Sequence, residues 1–167
     1  VLVYHFTASG NLKNTVEWCK NPESKASAHY VVDRAGAVVQ MVQDKDRAWH
    51  AGQSEWMGVT DVNSCSIGVE IVNWGELKLR DGKYWCWPND WQTMYTGKTP
   101  VFDSKTSTHW EPYSEEQLVT CIELGKELCS QYQIPQNRVL GHQDIAPGRK
   151  TDPGPAFPWD RVRGGVF

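Results

Sequence analysis

VLVYHFT alternates so that Leu2, Tyr4 and Phe6 share one side of an extended chain, with Val1, Val3, His5 and Thr7 on the other. That period of two predicts a buried strand. CSIGVEIVN repeats the pattern, with Ile67, Val69 and Ile71 opposed to Gly68 and Glu70. AHYVVDRAGAVVQMV reads as a hairpin turning at Ala35-Gly36, and RVLG as a last strand. The period changes over SEEQLVTCIELGKELCSQYQ, where Leu118, Cys121, Ile122, Leu128, Cys129 and Tyr132 recur at helical spacing. Ser114 caps that helix, Gln117 completes a capping box, and Pro135 follows its end. Residues 11–20 predict a short helix ended by Asn21-Pro22, DRAWHAG a short strand or turn, and PWDRVRG a terminal turn of helix. The order β, α, ββ, β, α, β predicts the α/β class, a mixed central sheet flanked by helices.

Two stretches break the pattern. From Trp74 to Tyr113, aromatic and turn residues alternate without a period, although this segment holds five of the nine tryptophans. It reads as an elaborated loop region with small strands, and loops of that length in a compact domain are usually functional. Flat apolar side chains there suit sugar rings and peptides. The second stretch is GHQDIAPGRKTDPGPAFPW, residues 141–159, which holds four prolines and three glycines and reads as neither helix nor regular strand.

Length and composition narrow the classes. A chain of 167 residues, 40% apolar and 22% charged, suggests one soluble domain with a real core. No run approaches the about 18 apolar residues of a membrane span. A net charge of −3 without a Lys/Arg cluster argues against nucleic-acid binding. Five cysteines, an odd set without CxxC, read as reduced and mostly buried thiols. They favour cytoplasmic synthesis without disulfides; the compartment itself is left unassigned. The chain opens without Met, as expected of one trimmed at its start. A monomer is expected.

The stiff 141–159 loop carries His142, Asp144, Lys150 and Asp152. Zinc accepts imidazole nitrogen and carboxylate oxygen, and a catalytic site keeps three protein ligands with one position open. Prolines would hold such ligands rigidly, and Pro153 limits Asp152 to extended backbone. A second histidine must come from elsewhere. His5 qualifies because its strand is otherwise apolar, yet the residues alone do not choose between it and His29, His50 or His109. A lone His on such a strand is more often a hydrogen-bonded core residue, and Asp before Pro is ordinary turn chemistry.

VYHFTAS, DRAWHAG, NSCSIGVE and GHQDIAPGRKTDPGPAFPW, in this order, resemble the zinc-dependent N-acetylmuramoyl-L-alanine amidases of type 2. That family includes the muropeptide-recycling amidase, phage amidase endolysins and peptidoglycan recognition proteins. The resemblance spans nearly the whole chain except residues 74–113, and implies one catalytic domain over 1–167 with an aromatic-rich insertion at about 74–113. It implies one catalytic Zn²⁺ on His5, His142 and Asp152. It also implies hydrolysis of the amide between the lactyl group of N-acetylmuramic acid and L-alanine, by a metal-bound water. Glu70 would be the general base and Lys150 would stabilise the oxyanion. Trp49, His50, Ala51 and Asn63 match segments bordering the substrate in the family. Gly68, on the face of Glu70, would leave room for ligand. Arg149 would meet a substrate carboxylate or cap a loop, His29 would support the core, and His109 would lie in a loop. The insertion would form a cleft wall or a second packing layer. The implied partner is peptidoglycan or a muropeptide.

Two rivals remain in view. A non-catalytic peptidoglycan-binding module on the same fold typically lacks a zinc ligand, and none is missing here. A zinc peptidase of unrelated fold would show HExxH, which does not occur.

Overall fold

The apolar alternation of the N-terminal segment places it at the centre of a sheet. In the computed structural model, which describes residues 1–87 and 90–167, β1 (Leu2–Phe6) lies between β10 (Val139–Gly141) and β4 (Ile67–Ile71). Beyond β4 follow β2 (Tyr30–Val32) and β3 (Val38–Gln40). β1 runs parallel to both its neighbours and β2 parallel to β4, while β3 returns antiparallel through the expected hairpin. The mixed sheet and its helices therefore agree with the pattern of the sequence. DRAWHAG forms no strand.

Both sides of the sheet are covered. Leu2, Tyr4, Ile67, Val69 and Ile71 meet Leu118, Cys121, Leu128 and Cys129 of α2 (Glu115–Gln131), with Val162 and Val166 of α4 (Trp159–Val166). The capping box forms as expected: the Ser114 hydroxyl accepts from Gln117 N, and Gln117 Oε1 accepts from Ser114 N. α2 approaches β1 closely at Gly125, where a Cβ would stand 2.7 Å from the Tyr4 hydroxyl oxygen. That hydroxyl donates to Cys121 O at 2.8 Å. On the opposite face Val3 and Leu140 pack with Ala51, Val62 and Ile145. His5 and Glu70 lie on that second face, one strand step beyond Val3 and Gly68, and are direct neighbours in the β1–β4 ladder. α1 (Leu12–Lys20) begins at Asn11, whose side chain accepts from Asn14 N.

The small strands expected within the 74–113 loop region are present, and they pair into a second sheet that the sequence did not announce. Its strands are β5 (Glu76–Arg80), β6 (Lys83–Cys86), β7 (Thr93–Met94), β8 (Val101–Asp103) and β9 (Thr108–Trp110), all antiparallel, in the order β7-β6-β5-β9-β8. His109 accordingly sits in a strand rather than a loop. Pro88 and Asn89 of this segment lie outside the described residues. A buried carboxylate ties the base of the sheet to the rest of the fold. Glu111 accepts two hydrogen bonds from Arg34, at 2.6 and 3.0 Å, and one from Trp74 N at 2.6 Å. Bidentate pairing of this kind fixes orientation as well as distance.

Candidate metal centre and its surroundings

The parallel strands β10, β1 and β4 end side by side, and open α/β sheets bind ligands at that carboxyl edge. His5 is next to last in β1, Glu70 next to last in β4, and His142 directly follows β10. The chain does not remain irregular after β10. Residues His142–Ile145 make one helical turn, α3, against the expectation of no helix in 141–159. Its cause is local: Asp144 Oδ2 accepts from Gly141 N at 2.9 Å, and Ala146 N donates to His142 O.

Asp152 is brought back to this turn by several contacts. Gln143 N donates to Asp152 O at 3.0 Å, and the buried Tyr113 hydroxyl donates to Pro153 O at 2.7 Å. The Pro153 ring lies against Gly141, where a Cβ would come within 2.6 Å of Pro153 Cδ. Trp110 covers Gly154, whose φ of +79° and whose 2.7 Å clearance from the indole both require glycine. Trp110 also packs against Phe6, with ring centroids 6.2 Å apart. The second sheet thus abuts the strand end that carries His5.

These contacts bring together His5, His142 and Asp152, all buried. His5 Nδ1 lies 2.8 Å from Asp152 Oδ2 and 3.0 Å from His142 Nδ1, and His142 Nδ1 lies 3.0 Å from Asp152 Oδ2. The outer nitrogen of His142, Nε2, is 2.9 Å from the Ala51 carbonyl oxygen, which can only accept. Nε2 therefore carries the proton and Nδ1 presents a lone pair inward. Two nitrogens and a carboxylate oxygen then converge, and one proton on His5 Nδ1 could bridge only one of the contacts. A cation satisfies all three, and two imidazoles with one carboxylate form a zinc donor set.

Electrostatics agree with a neutral His5 ring beside an ionised Asp152 carboxylate. Burial lowers the His5 imidazole below its ordinary value, opposed by its hydrogen bond to Asp152. Burial would raise the Asp152 carboxyl, but hydrogen bonds with His142 and His5 outweigh it and hold the group well below the usual range. His50 is lowered further, first by burial and then by His5, His29 and His142.

Glu70 is partly buried, and its Oε2 is buried without a hydrogen-bond partner among the described residues. Burial pushes its carboxyl well up, and the Asp152 charge adds to the push while Lys150 opposes it. Lys150 is exposed, yet its charge reaches both His5 and Glu70.

The WHAG segment divides. Trp49 is 54% exposed, whereas His50, Ala51 and Asn63 are buried behind the histidines. His50 Nδ1 is 2.9 Å from His5 Nε2, and Asn63 Oδ1 accepts from His50 N and Ala51 N at 3.0 and 2.8 Å. The space at Gly68 is filled by the His50 ring, 2.4 Å from where a Cβ would stand, rather than left for ligand. Arg149 caps a loop, donating to Ala51 O and Gln53 O. His29 is structural: Nδ1 accepts from Gly68 N, and Nε2 donates to Asp46 O. Ser66 and Tyr113 escaped the sequence reading. Ser66 carried one signal, a polar residue opening an apolar strand on the side of Glu70.

Known proteins resemble this chain in sequence and fold. The family described as N-acetylmuramoyl-L-alanine amidase matches residues 1–155. N-acetylmuramoyl-L-alanine amidase AmiD of Escherichia coli (strain K12) is 31% identical over 169 residues, covering 97% of this chain and 51% of AmiD. The solved complex of E. coli AmiD with anhydro-N-acetylmuramic acid-L-Ala-D-gamma-Glu-L-Lys has a TM-score of 0.76 at 30% identity, covering 99% of this chain and 56% of that one. AmpDh3 of Pseudomonas aeruginosa, in complex with anhydromuramic pentapeptide, has a TM-score of 0.73 at 28% identity, covering 98% and 58%. The chain spans about half the length of AmiD, 51% of it.

Proposed function

The chain belongs to the type 2 N-acetylmuramoyl-L-alanine amidase family, and on that premise we propose that it hydrolyses the amide joining the lactyl group of N-acetylmuramic acid to L-alanine of the stem peptide. The observation that carries this reading is the convergence of His5 Nδ1, His142 Nδ1 and Asp152 Oδ2, with Glu70 on the adjacent strand and its Oε2 buried without a partner among the described residues. Zinc held by those three atoms would polarise the scissile carbonyl and acidify a water at its open position.

The remaining work falls to side chains of this protein. Glu70, the direct ladder partner of His5, takes the proton of the attacking water. Its carboxyl is raised by burial, so it holds that proton and returns it to the leaving nitrogen. A C–O bond forms and the C–N bond breaks, giving a lactyl carboxylate and a peptide with a free L-alanine amine. Lys150 faces the negative charge that develops on the carbonyl oxygen. A fixed charge or donor aimed there contributes about 3–4 kcal/mol in comparable sites. His50, Ala51 and Asn63 orient the histidines, and Trp49 lies at the lip of the cleft.

Residues 1–167 act as one catalytic domain, and the second sheet forms a wall of its cleft. Trp110 supports the latter, since it touches both Phe6 and Gly154. Trp87→Ala and Trp91→Ala are expected to weaken action on polymeric substrate, and unaltered kinetics would remove the wall. Relatives were solved with anhydro-muropeptides, so a soluble muropeptide is the first substrate to try. Incubation of the zinc-loaded protein with one, followed by mass spectrometry, should show two fragments whose masses sum to substrate plus one water. An intact muropeptide with stoichiometric zinc bound would instead support a binding module.

A further inference from the structure

Building on the reading of His5 as a zinc ligand, we propose that Ser66 is a positioning residue, which fixes through His50 the tautomer in which His5 offers Nδ1 to the metal.

The direction of a hydrogen-bond chain settles where its protons sit. Ser66 Oγ lies 2.6 Å from the Val62 carbonyl oxygen. Two oxygens that close need a hydrogen between them, and a carbonyl has none to give. The Ser66 hydroxyl therefore donates to Val62 O and turns its lone pairs elsewhere. His50 Nε2 stands 3.0 Å from Ser66 Oγ, so it carries the proton of the neutral ring. His50 Nδ1 is then an acceptor, 2.9 Å from His5 Nε2. His5 Nε2 must donate to it, and His5 Nδ1 is left as a lone pair aimed at His142 Nδ1 and Asp152 Oδ2. A main-chain carbonyl, three hydrogen bonds behind the ligand, thus selects its metal-binding form. His142 is set separately, by Ala51 O.

The relay is built into β4 and its approach. Ser66, Gly68 and Glu70 fall on the same side of an extended chain. The first holds the far nitrogen of His50 and the second makes space for its ring, where a Cβ would stand 2.4 Å from Cγ. The third is the proposed base. Asn63 clamps the His50 backbone from below. His5, His50 and Ser66 are 1%, 8% and 9% exposed, so the chain is shielded from solvent along its length.

Without the Ser66 hydroxyl, His50 Nε2–H loses its acceptor. The His50 proton can then shift to Nδ1, which turns His5 Nε2 into the acceptor and drives the His5 proton onto Nδ1, where it competes with the cation. Outer-layer partners of metal ligands typically contribute 10–100-fold in affinity, and at one further remove Ser66→Ala should weaken zinc binding about 10-fold. Ser66→Thr keeps a hydroxyl and should stay within about threefold of the parent. Zinc affinity is read by competition with a chromophoric chelator, with folding checked by thermal unfolding. Long-range ¹H–¹⁵N correlation of the zinc-loaded parent protein should show His50 protonated on Nε2, a signature that packing alone does not impose. His50 protonated on Nδ1, or a folded Ser66→Ala protein with parental zinc affinity, would overturn the assignment. Should Ser66→Ala not fold, the parent spectrum decides alone. Loss of zinc affinity in Ser66→Ala, in a protein that cleaves no muropeptide, would uphold Ser66 and count against the hydrolase.

Discussion

Replacing Glu70 by Gln separates the proposed base from the metal ligands around it. Gln keeps the shape but cannot take a proton from water. General-base catalysis typically supplies 10²–10⁴-fold, so kcat should fall by about that factor, or about 3–5 kcal/mol of barrier. Zinc content should not change, because His5, His142 and Asp152 hold the site without it. Stability should move the other way. Glu70 Oε2 is buried with no partner among the described residues, and burial holds its carboxyl above the ordinary 4.5. In the zinc-free protein the folded state therefore surrenders this proton at higher pH than the unfolded chain does. No penalty is present below pH 4.5, and stability declines as pH climbs from there through the folded value. Gln carries no charge at any pH and escapes the decline. A buried unpaired polar group costs about 1–3 kcal/mol, and removing its charge should recover about 1 kcal/mol of that. For a chain of this size the gain is about 2–4 °C in Tm. The assays are zinc analysis, turnover on a muropeptide, and thermal unfolding in chelator at pH 4 and pH 8. A kcat within tenfold of the parent, or equal Tm values at pH 8, would refute the reasoning.

Lys150→Ala should lower kcat by about 10²–10³ with little change in KM, as expected of a group acting on developing charge; a rise in KM alone would assign Lys150 to substrate binding instead. Gly68→Ala puts a methyl 2.4 Å from the His50 ring, and overpacking of about 1–3 kcal/mol should lower Tm by several degrees and weaken zinc binding; parental values of both would show that the ring has another place to go. Burial holds His5 and His50 below their ordinary 6.5 in the folded state, so the unfolded chain takes up protons that the folded one refuses. Stability of the zinc-free protein should therefore fall as pH drops through 6.5, and a Tm unchanged between pH 7.5 and pH 5 would contradict it.

What the sequence disclosed follows the range of the interactions involved. The faces of β1 and β4 were legible because both strands are buried on two sides and keep a period of two, which put His5 and Glu70 opposite their apolar neighbours. That the two are also ladder partners depends on register, which neither strand carries alone. The stiffness of 141–159 was legible in its prolines, but the turn at His142 comes from Asp144 reaching back to Gly141 N, a short-range signal hidden among breakers. The second sheet left no period because its strands run from two to five residues. Its base is fixed by Arg34 and Glu111, which lie 77 positions apart. Gly68 announced only a close approach, and nothing local said that an imidazole fills the space. His50 belongs to the same class. The motif carried it to the site, but its place behind His5 follows from Asn63, Ser66 and Gly68 acting together. A ligand can be read from chemistry and spacing, whereas the groups that aim it are recruited wherever the fold brings a donor or acceptor within 3 Å, so the orienting layer becomes visible only in three dimensions.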